Sequence, residues 1–101
     1  MKTPAVYVLS DSVGETAELV IKAGLSQFIN GDYRIRRIPY VEDEATIDET
    51  LEMVKDEAGL IGYTLVNPYL RSYMNKRAKE LEVEAIDIMG PMMDAMAKTF
   101  K

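Results

Sequence analysis

Apolar residues along this chain fall into four short runs, and each run is followed by a longer stretch in which they return every three or four positions. The first run, Ala5-Val6-Tyr7-Val8-Leu9, is unbroken, as in a strand buried on both faces. Behind it Ala17, Val20, Ile21, Gly24 and Phe28 share one stripe at helical spacing, which predicts an amphipathic helix reaching Phe28. Asn30-Gly31-Asp32 reads as a turn, and Tyr33 to Tyr40 reads as a second strand carrying Arg34, Arg36 and Arg37. Such arginines suit an edge strand, where their heads stay in water and oppose pairing with another chain.

The next stretch, Asp43 to Glu57, is acidic, with Ile47, Leu51 and Val54 at helical spacing. It reads as a helix with a solvated face and acids favouring its first turn. Ala58 to Leu65 supplies a third strand. Asn67-Pro68 then opens a helix, with Asn as the cap and Pro at the first helical position. Its stripe is Leu70, Tyr73, Met74, Arg77, Ala78 and Leu81, with the arginine stem along the margin. Val83 to Ile88 is the fourth strand, and Gly90-Pro91 introduces a last helix with Met93, Met96, Ala97 and Phe100 on one side.

Strands alternating with helices predict an α/β fold in three layers, a doubly wound parallel sheet with helices on both faces and right-handed crossovers. The strand order 2-1-3-4 centres the two most apolar strands and leaves the arginine-bearing strand at an edge. In that order the connections reverse direction between strands one and three, so a crevice opens where their C-terminal ends part. The turns Ser10–Glu15 and Thr64–Asn67 are expected to face each other across it.

Composition narrows the chemistry. The chain has 101 residues, 48% of them hydrophobic, and no internal repeat or linker, which predicts one Rossmann-like or flavodoxin-like domain over 1–101. With 17 acidic and 12 basic side chains the net charge is −5, which disfavours nucleic acid as a partner. The sequence shows neither a long uncharged apolar stretch nor a signal-peptide pattern, so no membrane association and a cytoplasmic location are expected. Cysteine and histidine are both absent, which excludes disulfides, thiolate nucleophiles, imidazole bases and the usual zinc sites. No metal site and no cofactor are expected in this chain, and the chemistry is left to carboxylates, hydroxyls, Lys, Arg and backbone amides.

Candidate site residues gather at the strand ends. A strand, a short polar turn and a helix start form an anion site, because the first helical N–H groups have no intrahelical partners. Ser12 and Glu15 stand at the spacing of a capping box, a purely structural role. That role leaves Gly14 unexplained, since glycine in a first helical turn costs about 0.5–1 kcal/mol relative to alanine. Close approach of a ligand to the backbone would account for it, and Ser10, Asp11 and Thr16 add hydroxyls and an acceptor nearby. The cluster therefore points to a phosphate or a phosphorylated side chain. Thr64 and Asn67 end the third strand, Asn67 either as a helix cap or as a ligand contact. Arg71 and Arg37 each stand within reach of an anion in the crevice or of a surface acid. The methionines Met89, Met92, Met93 and Met96 read as core filling rather than a binding groove. A flavodoxin-type site shares the hydroxyl-rich turn, but a fifth βα unit and an aromatic pair for the flavin ring are missing, as is any Gly-x-x-x-x-Gly-Lys-[Ser/Thr] run.

Four blocks match something more specific than a fold. Tyr7-Val8-Leu9-Ser10-Asp11-Ser12-Val13-Gly14-Glu15-Thr16-Ala17-Glu18, then Pro39-Tyr40-Val41, then Tyr63-Thr64-Leu65-Val66-Asn67-Pro68 with Leu70-Arg71, and Asp87-Ile88-Met89-Gly90-Pro91 occur in that order. Together they resemble the N-terminal half of the bacterial regulatory proteins of pyruvate, phosphate dikinase and phosphoenolpyruvate synthase. The resemblance implies a bifunctional enzyme that phosphorylates a threonine of the target with ADP, inactivating it, and removes that phosphate with inorganic phosphate, releasing pyrophosphate. ADP and inorganic phosphate would then be substrates of the complete protein, and the dikinase or synthase its partner. The family's nucleotide phosphate loop lies in a C-terminal half that these residues do not include. The chain is accordingly expected to be an isolated N-terminal domain, either a truncation or a stand-alone relative, inactive by itself and with unassigned catalytic residues. The alternative reading is a non-catalytic module binding a phosphate-bearing ligand or partner. Separation from the nucleotide-binding half is expected to expose a patch near the strand C-termini and the methionine-rich helix, giving a weak homodimer.

Overall fold

Four strands and four helices alternate in the computed structural model, which describes residues 5–28 and 33–100. They are β1 (Ala5–Ser10), α1 (Glu15–Leu25), β2 (Arg34–Ile38), α2 (Glu44–Asp56), β3 (Leu60–Thr64), α3 (Pro68–Glu80), β4 (Glu84–Asp87) and α4 (Gly90–Thr99). The sheet is parallel throughout, in the order β2-β1-β3-β4, as the sequence predicts. All six residues of β1 are buried, which explains its unbroken apolar run, whereas the edge strand β2 exposes all three of its arginines. The turn expected at Asn30-Gly31-Asp32 lies outside the described residues.

Alternation along the strands divides the sheet into two unlike faces. On one, Tyr7, Leu9, Ile61 and Tyr63 pack with Ile47, Leu51 and Val54 of α2 and with Leu70, Met74 and Ala78 of α3 in a single core. Tyr7 ends that layer by donating its hydroxyl to Glu57 at 2.8 Å. The two helices are also tied to each other, Tyr73 and Arg77 of α3 both donating to Asp48 of α2. Asp43 caps α2 and Asn67 caps α3, with Pro68 at the first helical position as expected. On the opposite face lies α1, and Gly62 of β3 makes room there: a Cβ on Gly62 would sit 2.5 Å from Cδ1 of Ile21 and 3.0 Å from Cδ1 of Ile88.

Two expectations about packing are corrected. Helix α1 stops at Leu25, short of Phe28, and of its expected stripe only Ala17 is buried, while Val20 and Phe28 are exposed. The stripe does share one face, but that face borders an open cleft over β3 and β4, where nothing else described packs on the α1 side of the sheet. The methionines do not fill the core either. Within α4 only Gly90 is buried, and Met92, Met96 and Phe100 stand in solvent, because the helix leaves the sheet after Gly90 and is held at Arg71 by Asp94. No helix among the described residues is long and apolar enough to cross a membrane.

Candidate functional site

The turn after β1 is held from both sides at the C-terminal edge of the sheet. Toward β3, the Thr64 hydroxyl donates to Oγ of Ser10 at 2.9 Å, and both side chains are buried. Asp11 donates its amide to the Thr64 carbonyl, and its carboxylate accepts from the amides of Val66 at 2.8 Å and Asn67 at 3.2 Å. Toward β2, the amides of Tyr40 and Val41 donate to the carbonyls of Ser12 and Ser10, both at 2.9 Å. Tyr40 does so with φ 55, a left-handed backbone uncommon for a bulky side chain. The crevice anticipated between the first and third strand ends is therefore bridged by hydrogen bonds. What remains open in front of it is a cleft of about 330 Å³ lined by residues 10–16 with Thr64, Val66 and Met89.

Gly14 occupies the cap position of α1 with φ 93 and ψ 5. Glycine is needed for that left-handed turn, and the Arg37 stem lies over it, its Cγ 3.2 Å from where a Cβ would stand. The expected capping box between Ser12 and Glu15 does not form: Glu15 is already the first helical residue, and no side chain caps the helix. The Ser12 amide turns back instead to Oγ of Ser10 at 3.0 Å. Glu18 is the first residue of α1 to bond back within the helix, its amide reaching the Gly14 carbonyl. The preceding helical amides have no side-chain cap, and residues 15 and 16 among them border the cleft, the arrangement that favours an anion at a helix start.

Both arginines are paired with carboxylates. Arg37 pairs with Glu18 of α1 at 3.0 Å, and Arg71 lies between Asp87 at 4.0 Å and Asp94 at 3.4 Å. Arg71 belongs to a second cleft, of about 520 Å³, on the outer side of α3 with Lys76 and Lys79. Asn67 is likewise occupied as a cap, its Oδ1 accepting from Tyr69 and Leu70. Burial, with the Asp87 charge beyond it, pushes the Tyr63 phenol up to about 12, so that ring stays neutral beneath the site.

The sequence around this arrangement matches a known family. The model of the kinase/pyrophosphorylase family matches residues 6–101. The chain belongs to this family. Among curated relatives, a protein of Oceanobacillus iheyensis provisionally named pyruvate, phosphate dikinase regulatory protein is 68% identical over 97 residues, covering 96% of this chain and 36% of the relative. Proteins of the same name from Halalkalibacterium halodurans and Bacillus subtilis are each 50% identical, over 98 and 103 residues, covering 97% and 99% of this chain and 36% and 38% of the relatives. The chain thus spans little more than a third of the length of these relatives.

In this chain Ser10, Asp11, Ser12, Gly14, Glu15, Thr16 and Thr64 converge on one cleft, Arg37 lies over Gly14 and pairs with Glu18, Asn67 caps α3, and Arg71 pairs with Asp87 and Asp94. Pattern reading passed over Glu18, which holds Arg37, and gave no role to the Tyr40 and Val41 amides that clasp the turn. Periodicity carries no signal for either. The block Pro39-Tyr40-Val41 marked the place, and only the fold shows its backbone at work.

Proposed function

We propose that this chain is part of a regulatory enzyme of pyruvate, phosphate dikinase or phosphoenolpyruvate synthase. In this reading the complete protein transfers the β-phosphoryl of ADP to a threonine hydroxyl of the target, leaving AMP. It also transfers the threonine phosphate to inorganic phosphate, releasing pyrophosphate and restoring the hydroxyl. The observation that carries the reading is the 68% identity over 97 residues to a relative named for dikinase regulation. Within that scheme the cleft at the start of α1 receives a phosphate group, either inorganic phosphate or the phosphothreonine, against the uncapped amides of residues 15 and 16. The hydroxyls of Ser12 and Thr16 border the same cleft.

The test is a transfer assay on dikinase with ADP labelled at the β-phosphoryl. The 101-residue chain is expected to give no transfer, and the same sequence joined to the polypeptide that the relatives carry outside the matched third is expected to give it. Transfer by the 101 residues alone, or none by the longer polypeptide, overturns the reading. Calorimetry with inorganic phosphate on the 101-residue chain tests the cleft separately. Binding that Ser12→Ala and Thr16→Ala together weaken supports it, and silence removes it from the scheme.

A further inference from the structure

The two faces of the sheet are covered unequally. Helices α2 and α3 pack side by side over one, but α1 is the only helix among the described residues that packs on the other. Beside it runs an almost wholly apolar cleft of about 230 Å³, formed by Val20, Ile21 and Phe28 with Leu60 of β3 and Ile86 and Ile88 at β4. Phe28 is 88% exposed and Ile86 47%. In the register Val8↔Gly62↔Ile86 the last of these is a strand-interior position, the kind that a parallel sheet keeps dry. A contiguous apolar surface at such a place marks an interface.

Geometry and chain length say what covers it. Strands are spaced about 4.8 Å apart and packed helices about 8–10 Å, so a helix one spacing over from α1, which packs on β1 and β3, lies over β4 at the edge of the sheet. Helix α4 is not that helix, because the Asp94–Arg71 pair holds it at α3, whose other side chains build the opposite face. The family polypeptide has ample material to supply one, since this chain accounts for 36% of the Oceanobacillus relative. We propose that a helix from the polypeptide that family members carry outside the matched third packs into this cleft alongside α1 and completes the second helical layer.

The absence of cysteine from the chain makes the test direct. Ile86→Cys is labelled with a maleimide in the 101-residue chain and in the same sequence joined to the remainder of the Oceanobacillus relative, with peptide-level readout. Glu52→Cys on the exposed side of α2 is the control. Labelling at residue 86 is expected to be at least about tenfold slower in the longer polypeptide, independent of its concentration, with residue 52 unchanged. Equal rates at residue 86 overturn the proposal. So does protection in the 101-residue chain that grows with its concentration, which would make the occupant a second copy. Hydrogen exchange over residues 20–25 in the unsubstituted polypeptides gives the same reading without a mutation. Slower exchange in the longer one supports the proposal, and equal exchange overturns it.

Discussion

Gly14 and Asp11 show how single residues set the site. The positive φ at Gly14 and the Arg37 stem above it leave no comfortable place for a side chain, so Gly14→Ala is expected to cost about 1–2 kcal/mol. For a domain of this size that is a fall of about 4–8 °C in Tm per kcal/mol, read by thermal denaturation. Asp11→Ala removes the acceptor for the Val66 and Asn67 amides and leaves the β3–α3 and β1–α1 turns joined only by the Asp11 backbone N–H and the Thr64–Ser10 hydroxyl pair. Both amides are at the surface, where water substitutes in part, so the expected loss is about 1–2 kcal/mol in urea unfolding. Glu18 ties the same region to pH. The hydrogen bond from Lys22, and then that from Arg37 with its charge, hold the carboxyl below its ordinary value of 4.5 against the opposing effect of burial. A carboxylate depressed in the folded state stabilises fully above its unfolded value and ceases to do so as pH falls through the lower folded one. Glu18→Gln is therefore expected to lower Tm at pH 7 and to match the wild type once the medium is well below pH 4.5. A Tm gap that persists unchanged in acid would contradict the ion-pair account.

Helices α2 and α3 end by the same device. After α2 the amides of Ala58 and Gly59 return to the carbonyls of Lys55 and Val54, and after α3 those of Glu82 and Val83 return to Lys79 and Ala78. Both are Schellman closures, and the residue at the left-handed position is Ala58 with φ 52 in one and Glu82 with φ 57 in the other. Glycine is the residue this conformation favours, so Ala58→Gly is expected to stabilise by about 0.5–1 kcal/mol, read as a higher Tm. Glu82→Gly is expected to act in the same direction. Gly59 is the opposite case. A Cβ there would stand 2.4 Å from the carbonyl oxygen of Ala5, a backbone atom of the central strand that cannot swing aside. Gly59→Ala is expected to destabilise by about 1–3 kcal/mol, and a neutral result would mean that β1 and the β3 entry are less rigidly joined than they appear.

Across the whole molecule, stability is concentrated on the α2 and α3 side of the sheet. There Ile47, Leu51, Val54 and Met74 are fully buried, whereas α1 buries Ala17 alone and α4 only Gly90. Hydrogen exchange is expected to find the amides of α2, α3 and β1 opening only with global unfolding and those of α4 opening locally at far lower cost. Uniform protection of α4 and α3 would show that α4 is packed more firmly than its exposure implies. The division traces back to what a sequence can encode locally. Alternating strand and helix patterns, the Asn67-Pro68 start of α3 and the arginines of β2 settled the elements, the parallel sheet and its order, because each rests on near neighbours and on the burial of an unbroken apolar run. The blocks around residues 7–18, 39–41, 63–71 and 87–91 likewise marked the family. Which stripe is buried was beyond their reach. Helical spacing shows that Val20, Ile21 and Phe28 share a face and that Met93 and Met96 share another, but burial depends on what lies opposite, which only the packed chain decides. So too with the turn at Ser10–Thr16: its residue types are local, but whether Glu15 caps, whether Arg37 is free, and which amides clasp Ser12 depend on contacts from Glu18, Tyr40 and Thr64. Those partners are brought together by the crossovers of the sheet and by nothing in the spacing of the chain.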